Sequence, residues 1–366
     1  MKAGEFTVNI MTAGMAPGDA VGNYILTSAR IWRDWGIPVR LYADHIAPSL
    51  AKQVQHSSLY QPTGQNILWY HYTIYADNVH IARRSHDLRI MDTQSISPPH
   101  LFSKQNTYMQ ELCRKGLELL PDLKEWFEYY VVHTEYVRDI LLGHGYDGQK
   151  IYKLPMAVDT TRFDGREDRA LADYLQKLEY VMFVGRLVPQ KDILAMVEIF
   201  SHLHQKRPNM VLMLVGSSHL TEGYRKEIEA LIEAKGLSHR VLFTGQVNDA
   251  RVLGTLLKYA RYHLITSEWE SFCVPVAESM FFGVPPVVHH IPPLPEVTGP
   301  GGLVIDKSEP AIAAAEMLTL LEDETAYGAM SQAAVKQAQQ FTDKSLAEAI
   351  MAMMRTIALP QREVIG

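Results

Sequence analysis

Tyr262-His263-Leu264-Ile265-Thr266-Ser267-Glu268-Trp269-Glu270-Ser271-Phe272-Cys273-Val274-Pro275-Val276-Ala277-Glu278-Ser279-Met280 is the stretch on which the reading of this chain turns. Tyr262 to Thr266 form an apolar run that reads as a buried strand of a parallel sheet. After Val274 the pattern is helical, and Pro275 stands where a first helical residue tolerates a missing N–H. The amides of Ser271, Phe272, Cys273 and Val274 are therefore expected at or just before a helix N-terminus, at the carboxyl end of a strand. Unsatisfied N–H groups and the positive end of the helix dipole favour an anion there, most often a phosphate. Glu270 and Glu278 flank that turn. Carboxylates repel phosphate but accept hydrogen bonds from hydroxyls beside it. Phosphate held by amides and polyols held by acids together imply a nucleotide sugar.

Outward from this stretch the pattern alternates strand and helix. Phe6 to Met11 read as a first strand, Gly14 to Gly22 as a turn, Tyr24 to Trp35 as a helix and Val39 to Tyr42 as the next strand. Ile67 to Tyr72, Leu88 to Met91 and Tyr129 to Val132 continue a parallel sheet. A second sheet is expected from Tyr180 to Val184, Met210 to Val215, Val241 to Phe243, Tyr262 to Thr266, Pro286 to Val288 and Leu303 to Ile305. The polar run from Thr160 to Ala170 reads as the hinge. The division expected is an N-terminal domain over 1–165, a C-terminal domain over 170–342 and a last helix within 343–366. Two doubly wound α/β domains facing each other would set their strand carboxyl ends along one crevice, where such sheets bind ligands.

With 366 residues, 47% of them hydrophobic and 21% charged, the chain suits two soluble domains. Cys113 and Cys273 lack metal or redox spacing and exclude a disulfide framework, which fits a reducing cytoplasm. No stretch has the length or apolarity of a membrane span, and the net charge of −6 argues against nucleic acid. Arg83, Arg84 and Arg89, with His80 and His86, form either a solvated loop or a basic patch touching the inner face of a membrane.

The spacing Glu-x7-Glu followed by Phe281-Phe282-Gly283-Val284-Pro285 resembles the donor signature of GT-B retaining glycosyltransferases of family 4, the glycosyl transferases group 1. Three more segments match in order: Leu154 to Phe163, Val184 to Asp192 with its Gly-Arg-Leu and Lys, and Val241 to Val247. The first half is similar more loosely, through Pro17 to Asn23 and Ser97-Pro98-Pro99. The resemblance implies two Rossmann-like domains about a central cleft, the last helix crossing back to the first, and transfer of a hexose from a UDP- or GDP-linked donor to a glycan, lipid-linked or small-molecule acceptor.

Within that frame Arg186 and Lys191 would neutralise the departing nucleoside diphosphate, the fork of Arg and the point charge of Lys both suiting phosphate oxygens. Taken singly, each is an ordinary residue of a βα turn. No Asp-x-Asp pair ends a strand, so no metal and no other cofactor is expected. The resemblance gives Glu278 the ribose hydroxyls, Glu270 the transferred sugar, Gln246 and Val247 the base, and Gly18 an approach to the donor phosphates. Asp19 and His71 fall on the acceptor and sugar side, His71 being equally readable as a core histidine. Ser271-Phe272-Cys273 stands where the family shows Gly-Phe-Gly. A nicotinamide enzyme would need Gly-x-Gly-x-x-Gly after the first strand, and none is present. A sugar-nucleotide epimerase, a phosphorylase and a donor-binding subunit without turnover stay open as alternatives.

Overall fold

The computed structural model describes residues 6–16, 18–102, 106–159, 161–163, 167–218 and 221–357. The chain divides into two compact units, Met1–Asp159 with Phe341–Gly366, and Thr160–Gln340.

The first unit is wound from β1 (Val8–Met15), α1 (Ala20–Asp34), β2 (Val39–Ile46), β3 (Val54–His56), β4 (Ile67–His71), α2 (Val79–Arg84), β5 (Leu88–Thr93), α3 (Thr107–Leu119), β6 (Tyr129–Val132), α4 (Glu135–Gly143) and β7 (Ile151–Lys153). Its strands pair in the order β3-β2-β1-β4-β5-β6-β7, and every pairing is parallel. The second unit follows with α5 (Arg169–Leu175), β8 (Tyr180–Val184), α6 (Ile193–Lys206), β9 (Val211–Val215), α7 (Glu222–Ala234), β10 (Val241–Gly245), α8 (Ala250–Tyr259), β11 (Tyr262–Ile265), α9 (Val274–Phe281), β12 (Pro286–His289), α10 (Leu294–Thr298), β13 (Leu303–Ile305), α11 (Pro310–Glu322) and α12 (Glu324–Ala338). Here the order is β10-β9-β8-β11-β12-β13, again all parallel. The last helix, α13 (Asp343–Thr356), belongs to the first unit.

Both orders reverse direction once, between β1 and β4 and between β8 and β11. That reversal is the switch point at which doubly wound sheets open a crevice beyond their strand ends. The central strands are apolar and buried, as in a sheet whose two faces are covered by helices; Val211–Val215, VLMLV, is buried throughout. The α/β, Rossmann-like reading of both halves is borne out.

Two details depart from the sequence pattern. β1 extends through Gly14, which pairs with His45 of β2, instead of turning there. α1 starts at Ala20, not Tyr24, because the Asp19 carboxylate accepts from Gly22 N at 3.1 Å and caps the helix. Pro17 lies outside the described residues.

Where the chain leaves and re-enters the first unit, Val158 N donates to Phe341 O at 2.8 Å. α13 then packs on α1, burying Leu346, Ile350, Met353 and Met354.

Candidate functional site

Arg186, Lys191, Glu270 and Cys273 of the second unit come together at its switch point. β8 ends at Val184, and the chain turns through Gly185 and the exposed Arg186 toward Lys191. The neighbouring strand end comes unusually close: a Cβ on Gly216 would sit 1.7 Å from Gly185 O, so only glycine fits. Backbone bonds continue the sheet past its strands, Gly185 N donating to Val215 O and Leu187 N to Ser217 O, each at 2.9 Å.

From β11 the loop Thr266 to Glu270 is sewn to the turn carrying Lys191. Thr266 Oγ1 donates to Asp192 O at 2.8 Å and to Lys191 O at 3.1 Å. Glu268 N donates to Gln190 O at 2.8 Å, and Gln190 Nε2 to Trp269 O at 3.1 Å. Across this seam Lys191 Nζ meets Glu270 Oε1 at 2.6 Å, and Ser267 Oγ donates to the same oxygen at 2.6 Å. Glu270 is 5% exposed; it is a buried acid in an ion pair, not a solvated loop acid. Burial pulls the Lys191 ammonium toward deprotonation, but the Glu270 carboxylate outweighs it and lifts its pKa above the usual lysine range. Arg186 is close enough for its charge to act on Lys191.

α9 begins at Val274 with Pro275 in its first turn. Its N-cap, Cys273, holds φ 74° and ψ 71°, a left-handed conformation that only glycine adopts freely, and offers no side-chain cap. Ser271 is half-buried, while Phe272 and Cys273 are buried in this turn. Burial pushes the Cys273 thiol well up, with the Glu270 charge adding to it, so the group stays a neutral thiol beside the Lys191–Glu270 pair. Glu278, 4% exposed on α9, pairs with the Arg162 guanidinium. Arg162 is presented by the segment 161–163, whose Phe163 packs edge-on against Phe282 at 5.2 Å. Gln246 and Val247 follow β10 at the sheet edge, with Gln246 Nε2 donating to Asn248 Oδ1 at 2.9 Å.

Lys191 and Glu270 are thus brought into contact, with Arg186 and Cys273 beside them. Gln246 and Val247 sit two strands away from β8. Gly18, Asp19 and His71 belong to the first unit. Gly18 (φ 78°) and Asp19 are exposed ahead of α1. His71 is 1% exposed at the end of β4, its Nδ1 3.6 Å from Asp92 Oδ1, with Tyr24 edge-on at 5.7 Å. Neither of its ring nitrogens has a hydrogen-bond partner. Asp92 instead receives His133 Nε2 and Trp69 Nε1, each at 2.9 Å. Burial drags the His71 pKa down to about 4 against the pull of Asp92, so its imidazole is neutral.

Four side chains at the second-unit site escaped the sequence reading. Arg162, Ser267 and Lys307 act through partners, two of them more than a hundred residues away. The fourth, His263, is wholly buried in β11 and accepts from Val184 N at 3.3 Å, fixing the end of β8. Only Ser267, three residues before Glu270, left a local signal. In the basic patch, Arg83 stacks over Trp126 at 4.8 Å and Arg89 pairs with Glu128. Among the described residues, His289, His290 and Asp306 place ligand atoms within 4.8 Å of one another at the ends of β12 and β13. No described helix is long and apolar enough to cross a membrane.

Residues 167–340 match the model of the family described as glycosyl transferases group 1. O-antigen chain mannosyltransferase B of Escherichia coli is 28% identical over 165 residues, 44% of this chain and 42% of that protein. D-inositol 3-phosphate glycosyltransferase of Corynebacterium efficiens is 26% identical over 222 residues, 57% of this chain and 51% of that protein. The chain thus spans about half the length of these curated relatives. Among solved structures, HepE of Anabaena in complex with UDP-glucose aligns with a TM-score of 0.74 at 17% identity, over 96% of this chain and 100% of that one. Sucrose-phosphate synthase of Thermosynechococcus elongatus gives 0.74 at 15% identity, over 95% and 98%. At such identities the likeness establishes the fold, which is GT-B.

Proposed function

From the membership of residues 167–340 in the glycosyl transferases group 1 family, we propose that this chain is a retaining hexosyltransferase using a UDP- or GDP-linked sugar. The acceptor is a glycan, a lipid-linked sugar or a small polyol. The observation that carries the reading is the buried Lys191–Glu270 contact at the switch point of the second sheet, 2.6 Å long, beside the N-terminus of α9. HepE, of the same fold, is described with UDP-glucose, which supports a nucleotide sugar as the ligand class.

Lys191 and Glu270 neutralise each other across their 2.6 Å contact. An arriving diphosphate competes for the ammonium, helped by Arg186 and by the amide end of α9. Glu270, relieved of its partner, can then accept hydrogen bonds from the sugar. Glu278 would take the ribose hydroxyls, sharing its charge with Arg162. In the transfer step the bond between C1 and the diphosphate oxygen breaks and a bond from C1 to the acceptor oxygen forms on the same face. The acceptor proton passes to the departing diphosphate. Arg186 and Lys191 stabilise the charge that grows on that leaving group, so two cations do the work a metal would otherwise do, and activity should survive EDTA. A cytoplasmic location, with the Arg83–Arg89 region against a membrane, suits a lipid-linked acceptor.

The test is a panel of UDP- and GDP-linked hexoses assayed for acceptor-dependent release of free diphosphate, with the anomeric configuration of the product read by proton NMR. Retained configuration and acceptor dependence are expected. Turnover of the donor without acceptor would indicate an epimerase, and binding of UDP or GDP without any turnover a donor-binding subunit.

A further inference from the structure

We propose that Lys307 is a positioning residue of this site, holding Lys191 and Glu270 in contact by gripping the residue next to one and the loop leading to the other. The role assigned to that contact rests on the hexosyltransferase reading above; the grip itself is a matter of geometry.

Lys307 follows β13 and is nearly enclosed, its side chain 10% exposed. An ammonium has three N–H donors, and three acceptors surround this one: Asp192 Oδ2 at 2.7 Å, Thr266 O at 3.0 Å and the Glu268 carboxylate. The acceptors come from the two segments that carry the site. Asp192 is bonded to Lys191, and Thr266 and Glu268 precede Glu270 in its loop.

Asp192 is a costly residue to place here. Its φ of 44° and ψ of 59° lie in the left-handed region, which costs every residue but glycine something, though aspartate less than most. Its side chain makes two contacts there, beside the backbone bonds from Thr266 Oγ1 and to Pro189 O: Oδ1 accepts from Ala195 N at 3.3 Å, capping α6, and Oδ2 takes Lys307. The residue before it, Lys191, reaches across the seam to Glu270 at 2.6 Å. Without the ammonium of Lys307, the carboxylates of Asp192 and Glu268 would face each other unneutralised next to the place where a diphosphate binds. Both effects loosen Lys191, one by freeing the turn and the other by drawing the lysine toward the wrong acids. Lys307 needs no contact with donor or acceptor for either.

The experiment pairs Lys307→Met, which keeps the stem and removes the charge, with Lys307→Arg and with the double variant Lys307→Met/Asp192→Gly. Glycine takes the left-handed conformation freely and removes the orphaned carboxylate. Lys307→Met should lower kcat for the best donor of the panel by roughly ten- to a hundredfold, the cost of a misplaced catalytic group, while the donor KM changes less. Lys307→Arg should recover part of the loss, and the double variant should return to within a few-fold of the parent. A crystal structure of Lys307→Met should show Lys191 Nζ withdrawn from Glu270. The inference is overturned if Lys307→Met keeps both kcat and the Lys191–Glu270 contact, or if Asp192→Gly brings no recovery, which marks a merely structural loss. Should the parent protein turn over no nucleotide sugar, the hexosyltransferase reading fails by itself. The crystal structures of the parent, Lys307→Met and the double variant then decide whether Lys307 holds the contact.

Discussion

At the scale of single residues, burial changes what a charge is for. Lys191 and Glu270 read in the sequence as a phosphate cation and a sugar acid acting apart; the structure spends each on the other, 2.6 Å apart. Spacing placed Glu270 in the Glu-x7-Glu turn but could not reveal the pair, because the two residues are 79 positions apart and only the sheet order brings β8 and β11 together. Arg162 was hidden for the same reason, on a short segment of no periodicity 116 positions before Glu278. Replacing Arg186 or Lys191 by alanine should each cost about a hundredfold in kcat, the typical loss of one donor to developing negative charge. Retention of full turnover by the doubly substituted protein would show that neither meets the leaving group. Glu278→Ala should act differently, raising the donor KM several-fold with a smaller effect on kcat. Titration calorimetry with UDP and GDP separates that outcome from a loss of chemistry.

At the scale of elements, the long apolar strands were legible and the short ones were not. β9 declares itself as VLMLV, whereas β3 and β7, three residues each with mostly polar or exposed positions, carry no pattern. They are strands because a neighbour supplies the hydrogen bonds. The ends of elements carry the harder constraints. Gly216→Ala would drive a methyl into Gly185 O and should part β8 from β9 at the site, with a loss of several kcal/mol in denaturant melts. A melt within 1 kcal/mol of the parent, on the same scale of effects, would mean the backbone moves aside freely. Strands β4 and β11 also bury imidazoles. His71 is held down to about 4 and His263 to about 3, burial being the leading cause in each. Both are neutral when folded and take a proton when unfolded, near pH 6.5. The unfolded chain therefore gains protons as pH falls below about 6.5, and stability should decline from there toward pH 4. Urea melts between pH 7 and 4.5 measure the slope, and His71→Asn should flatten it; an unchanged slope in that variant removes His71 as its source.

At the scale of the whole molecule, the doubly wound halves were readable because alternating apolar strands and amphipathic helices leave few other folds. The candidate residues of the first unit were not, since Gly18, Asp19 and His71 show ordinary local roles or burial that sequence cannot separate from binding. α13 provides a test of how the units are built. Leu346→Ala, deleting a fully buried side chain against α1, should cost about 2–5 kcal/mol. Hydrogen exchange should report the loss in β1, α1 and β4 while β8 and β11 keep their protection. Equal loss in both units would show that they unfold as one.

The division at Asp159 and Phe341 also sets an order of events on the ribosome. The second unit is one continuous stretch and has been fully synthesised before α13 is made. The first unit is finished only afterwards, so once the rest of that unit has been made the apolar flank of α1 waits for the whole of Thr160–Gln340 before α13 can cover it. Chaperone dependence in the cell should therefore track the beginning of the chain, through a delay written into its connectivity.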